Sequence, residues 1–312
     1  MPYTNWLDFS TILRRENEHT HYCGTGFIGS TLCSRLLEEG NNKIVILSRH
    51  SEKIKPPIQA IAELNELKDN DAFDVVINLA GEPIANKRWS DQQKYQIFSS
   101  RINTTKKLIA YLETLENKPK LLISGSAIGY YGIDKTDAVI EEKDNGDNSF
   151  SSELCQKWEA VALKAEKLGI RTCLLRTGIV LGKNGGALNK MLLPFKMYLG
   201  GRIGNGKQWM SWIHIDDLIG IILHCINHDN FKRAVNGTSP NPVTNQAFTK
   251  TLGTVLKRPT IFPMPALVVK LLMGQMGEEL LLAGKQIRPK KALDAGYIFK
   301  YKTLEEALIN AV

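Results

Sequence analysis

The chain lacks a hydrophobic run long enough to cross a membrane. Its longest apolar stretches, such as LLRTGIVLG and PALVVKLLMG, contain an Arg or a Lys and fall well short of the roughly 20 residues that span a bilayer. The N-terminus also lacks the short apolar core and the small-residue cleavage site of a secretory signal. We therefore expect a cytoplasmic protein with no membrane partner.

Cysteine pairs are missing as well. The five cysteines are scattered along the 312 residues, are odd in number and never show the CxxC spacing. This distribution argues against a disulfide framework and against a zinc site. We interpret them as reduced, mostly buried thiols and predict no bound metal.

Acidic residues are the scarcer charge, and the formal net charge is +8. The basic residues are spread along the chain, and only the short segment GKQIRPKKAL is densely basic. That pattern favours a solvated basic face over a nucleic-acid site, so we expect no nucleic-acid partner. A mildly basic protein suits an anionic small molecule such as a dinucleotide.

Apolar runs typical of buried strands alternate with segments of helical spacing. The runs are KIVILS, FDVVINLAG, PKLLISGSA and IRTCLLRTGIVL, and the helical segments include FIGSTLCSRLLEEG and SSELCQKWEAVALKAEKLG. Continuous apolar strands separated by helices predict a parallel sheet that is covered on both faces. The predicted fold class is α/β, a doubly wound parallel sheet (Rossmann fold), in which ligands bind at the carboxyl ends of the strands.

The pattern changes after residue 181, where Gly-rich loops, the strand candidate KQWMSWIH, the helix DDLIGIILHCI and shorter helices follow. Thr244 or Asn245 is a plausible cap for one of these helices. We predict a nucleotide-binding Rossmann domain over residues 24 to 181 and a smaller α+β substrate-side region over residues 182 to 312.

The segment GTGFIG, residues 24 to 29, supplies glycines where a dinucleotide fold brings its backbone close to the pyrophosphate. About 20 residues further on, ILSRH ends the next strand candidate with Ser48 and Arg49, where a protein that prefers NAD carries an acidic residue. A hydroxyl and a guanidinium there suit a 2′-phosphate, so the predicted cofactor is NADP(H). The alternative is that Arg49 is an ordinary surface residue.

Several motifs resemble the extended, sugar-nucleotide-epimerase-like branch of the short-chain dehydrogenase/reductase superfamily. GEPIANKRWS, SSRINTTKKL, SGSAIGYYG, LRTGIVLG, WMSWIHIDDL and RPKKALDAGYIFKYKTLEEAL are similar to the YfcH-like epimerase-family proteins, over roughly residues 23 to 312. Those proteins are described as NADP-dependent oxidoreductases and sometimes as cell-division inhibitors. The cofactor-binding residues that the resemblance implies are Gly24, Gly26, Phe27, Ile28, Gly29, Ser48, Arg49, Leu79, Ala80, Gly81, Ser124 and Arg176.

The resemblance also implies a catalytic Ser126, but the usual catalytic pair is missing. Working members carry a YxxxK pair on the following helix, in which the Lys lowers the pKa of the Tyr. Here that helix reads SFSSELCQKWEAVA, so Glu153 stands four residues before Lys157. The possible substitutes are Tyr130, Tyr131, Glu153 and His214. The residues that could bind a substrate are Arg88, Trp89 and Arg101, which are equally compatible with a surface role.

The resemblance implies an apolar first strand of the form ILITGGTGFIG, where this chain has EHTHYCGTGFIG. Codons that can encode Asn17 to Cys23, when they are read from their second base, translate as Met-Asn-Ile-Leu-Ile-Thr. One inserted base then restores the frame of the glycine turn. Our hypothesis is that residues 1 to 23 are an aberrant, frameshifted N-terminus. The alternatives are a divergent native terminus and a metal site formed by His19, His21 and Cys23.

The expected function is that of an NADP(H)-dependent oxidoreductase or epimerase-like enzyme that acts on a small carbonyl or sugar-like substrate. The alternative is a non-catalytic NADP(H) sensor or a cell-division-related interaction protein, which the missing Tyr favours. Relatives in the superfamily often dimerise, so a homodimer is also possible.

Overall fold

The computed structural model describes residues 11–12, 26–40, 42–67, 73–134, 136–183 and 185–312. The strands are Thr11–Ile12 (β1), Val45–Leu47 (β2), Gln59–Ile61 (β3), Val75–Asn78 (β4), Leu121–Ala127 (β5), Val139–Ile140 (β6), Arg171–Thr177 (β7), Ile179–Leu181 (β8), Trp209–Met210 (β9), Trp212–His214 (β10), Arg233–Gly237 (β11), Val243–Thr244 (β12) and Gln286–Ile287 (β13). The α-helices are Phe27–Glu38 (α1), Asp91–Thr114 (α2), Phe150–Ala162 (α3), Gly186–Lys196 (α4), Ile215–Asn227 (α5), Asn245–Leu256 (α6), Ala266–Met273 (α7), Gln275–Leu280 (α8), Lys290–Asp294 (α9) and Leu304–Ala311 (α10).

Within the described residues, a seven-stranded sheet of order β11-β7-β5-β4-β1-β2-β3 forms the centre of the protein. β4, β5, β7 and β11 run parallel to one another, and β2 runs parallel to β3. The order reverses beside β1, as in a doubly wound sheet, and helices cover both faces. The predicted fold class is confirmed.

The alternation of side chains along each strand explains the continuous apolar runs. In β4, Val75 and Ile77 join the core cluster that includes α1 and α5, whereas Val76 joins the cluster that includes α2 and α3. β5 divides its side chains in the same way, with Ile123 on the first face and Leu122 on the second. Because both faces are buried, every position of these strands has to be apolar or hydrogen-bonded.

The position of the first strand is filled by Thr11–Ile12, which pair antiparallel with both β2 and β4. Thr11 lies opposite Ile46 and Ile77 in the two ladders. The resemblance implied instead a strand that leads directly into the glycine turn. His19, His21, Cys23 and Gly24 lie outside the described residues, and the hypothesis of a frameshifted N-terminus stays a prediction.

The chain returns to the central sheet after residue 182. α5 packs against α1 in the first core cluster, and β11 forms the edge of the sheet beside β7. A separate cluster is formed by β8, α4, β10, α6 and α10. The Thr244 side chain accepts a hydrogen bond from the Ala247 N–H and so caps α6, as predicted. No helix among the described residues combines the length and apolarity needed to cross a membrane.

Candidate active site and cofactor edge

The predicted cofactor residues gather at one edge of the sheet. β2 and β4 run in the same direction, since each is antiparallel to β1, and β5 is parallel to β4. Their carboxyl ends therefore meet at a common edge. Ser48 and Arg49 follow β2, Leu79 to Gly81 follow β4, and Ser124 to Ala127 end β5. α1 begins at Phe27, whose ring lies against Gly182, Gly185 and Gly186.

Among the described residues, no side chain caps the start of α1. Gly26 is its N-cap in an extended conformation (φ −76°, ψ 172°), and a Cβ added there would meet nothing within 4 Å. The first N–H groups of a helix have no partner within the helix, and the helix dipole favours an anion beside them. Behind this turn, the Phe27 ring packs against Gly185, where an added Cβ would lie 2.3 Å from the ring.

Ser48 and Arg49 differ in their surroundings. Ser48 is buried, and its hydroxyl oxygen accepts a hydrogen bond from the His50 N–H at 3.1 Å. Arg49 is exposed at the end of β2. An anion at this corner of the sheet would therefore meet the Arg49 guanidinium at the surface.

Gly81 is held against the buried guanidinium of Arg101. Arg101 Nη1 donates to the carbonyl oxygens of Glu82 at 3.0 Å and Ile97 at 3.1 Å, and the guanidinium lies 5.3 Å from the Trp158 ring. Burial lowers the pKa of Arg101 to about 10, so it stays charged at neutral pH. An added Cβ on Gly81 would lie 2.7 Å from Arg101 Cζ, so a larger residue here would have to displace the guanidinium. Arg101 thus supports the loop after β4 from beneath.

Arg88 and Trp89 connect that loop to the C-terminal helices. Trp89 is buried, donates from Nε1 to the Ile84 carbonyl at 2.8 Å and contacts the Phe150 ring edge-on at 4.9 Å. Arg88 Nη1 donates to the Leu271 carbonyl on α7 at 3.4 Å. The indole is therefore a packing residue, while the exposed Arg88 lies at the junction with α7.

A buried polar network lies where β5, β7 and β11 run side by side. The register pairs Ser126 with Arg176 and Arg176 with Asn236, so these three side chains point to the same face of the sheet. Arg176 pairs with Glu159 of α3 at two points, Nε to Oε1 and Nη2 to Oε2, both at 2.8 Å. Burial alone would lower the pKa of Arg176, but the hydrogen bonds and charge of Glu159 raise it.

Ser126 is the polar end of this network. Its hydroxyl donates to Glu159 Oε1 at 2.6 Å, and both side chains are buried. Because the Ser126 hydroxyl already donates its proton to Glu159, it can act toward a substrate only as a hydrogen-bond acceptor, through its oxygen lone pairs. Ser124 is fully buried two residues earlier, in register with Asn78 of β4.

The two tyrosines after β5 take different positions. The Tyr131 hydroxyl donates to Asn236 Oδ1 at 2.7 Å and accepts from Arg176 Nη1 at 3.0 Å. Burial raises the pKa of Tyr131 to about 12, although Arg176 opposes the rise. Tyr130 is half-buried, and its ring centroid lies 3.3 Å from the Arg176 guanidinium carbon. Tyr131 therefore belongs to the buried network, and Tyr130 covers it.

His214 is a capping residue. It is buried, it is the N-cap of α5, and its Nδ1 accepts a hydrogen bond from the Asp216 N–H at 3.1 Å. Burial lowers the pKa of His214, which keeps the ring neutral and able to accept this bond. Across the part of the chain that the structure describes, no three His, Cys, Asp or Glu side chains cluster as metal ligands do.

A family model describes most of this architecture. The model of the NAD dependent epimerase/dehydratase family matches residues 24–236, more than half of the chain. The chain belongs to this family. A second model, a domain of unknown function called DUF1731, matches residues 264–311. The recognition made from the sequence motifs is thereby confirmed.

Relatives of this epimerase family extend the match to nearly the full chain. A chloroplastic SDR39U1 homolog from Arabidopsis thaliana is 40% identical over 294 residues, which cover 91% of this chain and 83% of the relative. The epimerase family protein YfhF of Bacillus subtilis is 37% identical, with coverages of 93% and 96%. The crystal structure of human SDR39U1 with NADPH superimposes with a TM-score of 0.82 at 35% identity, covering 92% of this chain and 96% of the human chain.

This member of the epimerase family carries an altered α3. Glu153 and Lys157 form an exposed ion pair at 3.3 Å on its outer side. Ser151 and Cys155, one buried pair of α3 at the same spacing of four, are not Tyr and Lys either. Ser151 donates from its N–H and its hydroxyl to Glu279, and burial, with the nearby Glu159, raises the pKa of the Cys155 thiol to about 11.

Sequence reasoning missed Glu159, the central acid of the buried network. The signal was present: Glu159 follows Cys155 by one helical turn and lies on the buried side of α3, next to Trp158. A carboxylate on the buried face of a helix requires a cationic partner. Arg176 is a charged residue near the end of an otherwise apolar strand, which makes it the matching candidate. Glu279, which binds the first N–H groups of α3, was also missed.

Proposed function

We propose that the protein binds NADP(H) at the carboxyl edge of the sheet and uses it in an oxidoreductase reaction on a small carbonyl or sugar-like substrate. The observation that carries the proposal is the position of Arg49, which is exposed at the end of β2, at the edge of the sheet where β4 and β5 also end. The human relative crystallised with NADPH supports the same cofactor.

The residues at this edge fit such a dinucleotide. The open space at Gly26 and the uncapped N–H groups at Phe27, Ile28 and Gly29 suit the pyrophosphate. Ser48 and Arg49 suit the 2′-phosphate, because a guanidinium makes strong charge-assisted hydrogen bonds to phosphate oxygens. Leu79, Ala80 and Gly81 would lie beside the nicotinamide-side ribose, and Arg101 holds the loop that contains them through the Glu82 carbonyl.

When bound, the nicotinamide supplies a carbon that accepts or donates hydride. The protein supplies the route for the accompanying proton. Ser126 accepts a hydrogen bond from the substrate hydroxyl, and its own proton lies on the bond to Glu159 Oε1. In the oxidative direction the substrate proton passes to Ser126 Oγ as the Ser126 proton passes to Glu159. Arg176 holds Glu159 at both oxygens and so keeps the relay aligned.

A titration of the full chain with NADPH and NADH, followed by nicotinamide fluorescence, tests the cofactor. We expect tighter binding of NADPH, and we expect Arg49→Ala to weaken it roughly 10- to 150-fold, because one charge-assisted hydrogen bond contributes about 1.5–3 kcal/mol. Affinity for NADH, which has no 2′-phosphate, should not change. Lys106→Ala, an exposed cation of α2, is the matched control.

Equal affinity for the two cofactors, or an Arg49→Ala variant that binds NADPH normally, would contradict the assignment of the 2′-phosphate site. Loss of binding in the Lys106→Ala control would point instead to a nonspecific charge effect.

A non-catalytic NADP(H) sensor is the second candidate. It is favoured by the absence of Tyr from α3, in which Glu153 and Lys157 form an exposed ion pair. Turnover separates the two functions: an enzyme consumes NADPH with at least one member of a panel of carbonyl compounds, whereas a sensor binds NADPH without consuming it.

A further inference from the structure

Most of the exposed large apolar side chains among the described residues lie in two stretches, 193–199 and 261–272. We call the exposed apolar residues of these two stretches the apolar patch. Single exposed apolar residues are normal, but a contiguous set marks a surface that binds a protein or a membrane. The buried network and the cofactor edge do not use these residues.

The helix α7 contributes a clear stripe. Leu267, Leu271 and Leu272 are 65–67% exposed, and Val268 lies between them at 38%. Positions i, i+1, i+4 and i+5 share one side of a helix, so the stripe is continuous along the outer face. On the opposite side Val269 is fully buried. α7 thus packs on the protein through one apolar face, and its opposite face, which is also apolar, is exposed to solvent.

The stripe continues onto the neighbouring segments. The chain before α7 runs beside the end of α4, because the Phe262 N–H donates to the Gly200 carbonyl at 3.2 Å and the Met264 N–H to the Arg202 carbonyl at 2.9 Å. Leu193 on α4 and Met197, the residue that follows α4, are 63% and 58% exposed. The patch therefore spans two helices and the strand-like segment between them.

The surroundings of the patch are predominantly basic, and the acid nearest to α7 in sequence, Glu278, is paired with Lys270 of α7 at 2.8 Å. Residues 182–215 and 234–277 contain nine Lys or Arg and no Asp or Glu. Lys196, Arg202 and Lys257 are exposed, and the Arg258 guanidinium lies 4.5 Å from the centroid of the exposed Tyr198 ring. We call Lys196, Arg202, Lys257 and Arg258 the basic rim.

This charge pattern decides between two occupants. In a two-fold symmetric dimer the same patch would meet itself, so the basic rim of one copy would face the basic rim of the other. Like charges across such an interface repel each other. An anionic phospholipid surface is complementary to both parts, because its phosphates face the rim and its acyl boundary faces the patch.

We propose that the apolar patch docks on the surface of a bilayer that contains anionic phospholipids. The α7 stripe enters the boundary between headgroups and acyl chains, and the basic rim contacts the phosphates. The proposal departs from the expectation of no membrane partner, which rested on the lack of a spanning segment. A surface contact needs no such segment, and it is independent of the proposed cofactor chemistry.

Sedimentation of the full chain with lipid vesicles tests the proposal. One set of vesicles is phosphatidylcholine alone, and in the other set a third of the lipid is phosphatidylglycerol. We expect the partition coefficient to be at least roughly tenfold higher for the anionic vesicles and to fall with added salt. The variant Leu267→Ser with Leu271→Ser should reduce binding to the anionic vesicles roughly tenfold.

Matched variants separate the patch from general effects. Ile298→Ser with Ile309→Ser removes two exposed apolar side chains outside the patch, 82% and 61% exposed, and should leave binding unchanged. Lys196→Glu with Arg258→Glu should weaken binding to the anionic vesicles as strongly as the loss of the two leucines. Lys106→Glu with Lys107→Glu, on α2, should have no comparable effect.

Three outcomes would overturn the proposal. The first is the absence of sedimentation with either type of vesicle. The second is equal binding of the wild-type chain, the variant Leu267→Ser with Leu271→Ser, and the variant Lys196→Glu with Arg258→Glu. The third is a dimer, measured by light scattering, that becomes a monomer in the variant Leu267→Ser with Leu271→Ser. That result would assign the patch to a second copy of the chain.

Discussion

Removal of the cation from the buried network should destabilise the protein strongly. Arg176 is 4% exposed and Glu159 is 5% exposed, and they are joined by two hydrogen bonds of 2.8 Å. In Arg176→Leu the Glu159 carboxylate stays buried without its partner, and the Tyr131 hydroxyl loses a donor. Breaking a buried pair in this way costs about 3–5 kcal/mol of the free energy of unfolding.

The chain offers a matched control with the same geometry at the surface. Arg233 pairs with Glu166 at two points, at 3.2 Å and 3.1 Å, but its side chain is 67% exposed. Water replaces such a partner readily, so Arg233→Leu should cause little measurable change. Urea unfolding, followed by circular dichroism and tryptophan fluorescence, measures both variants.

The double variant Glu159→Gln with Arg176→Leu completes the test. It removes the buried charge together with its partner, so it should be more stable than Arg176→Leu alone. If Arg176→Leu and Arg233→Leu destabilise the protein equally, or if the double variant is no better than the single one, burial of the carboxylate is not the cause of the effect.

Two further predictions concern close packing and pH. Gly81→Ala should lower the free energy of unfolding in urea by about 1–3 kcal/mol, because the new Cβ would meet the Arg101 guanidinium. In an Arg101→Ala background this loss should largely vanish. An equal loss in both backgrounds would refute the clash. The pKa of Tyr131, raised to about 12 by burial, lies above the value near 10 of an unfolded chain. The folded state therefore retains the proton longer, and Tyr131 contributes stability that is lost as the pH rises from about 10 to 12. Tyr131→Phe should show a smaller decline of the melting temperature over that window, and an identical decline would contradict the assignment.

The strand ends were predictable from the sequence because they follow from local patterns. Each apolar run locates a strand, and parallel strands have their carboxyl ends at a common edge. Ser48, Arg49 and Gly81 therefore fall at one edge without any knowledge of distances. Helix starts were equally local, as the Thr244 cap of α6 shows.

The buried network was not predictable in this way. Ser126 and Glu159 are 33 residues apart, and Tyr131 and Asn236 are 105 residues apart. No local pattern reports that β5, β7 and β11 align Ser126, Arg176 and Asn236 in register. The apolar patch likewise depends on the backbone pairing of two segments that are distant in sequence.

The sequence by itself determined the fold class and the family, and it predicted the edge of the sheet where a dinucleotide would bind, because hydrophobic periodicity and short glycine motifs act over a few residues. Tertiary structure alone decided which side chains are paired and which are exposed. It joined Ser126 to Glu159, buried Tyr131 and Trp89, and left one face of α7 in solvent. The physical reason is that burial and ion pairing depend on contacts between residues far apart in the chain, and register and packing set those contacts.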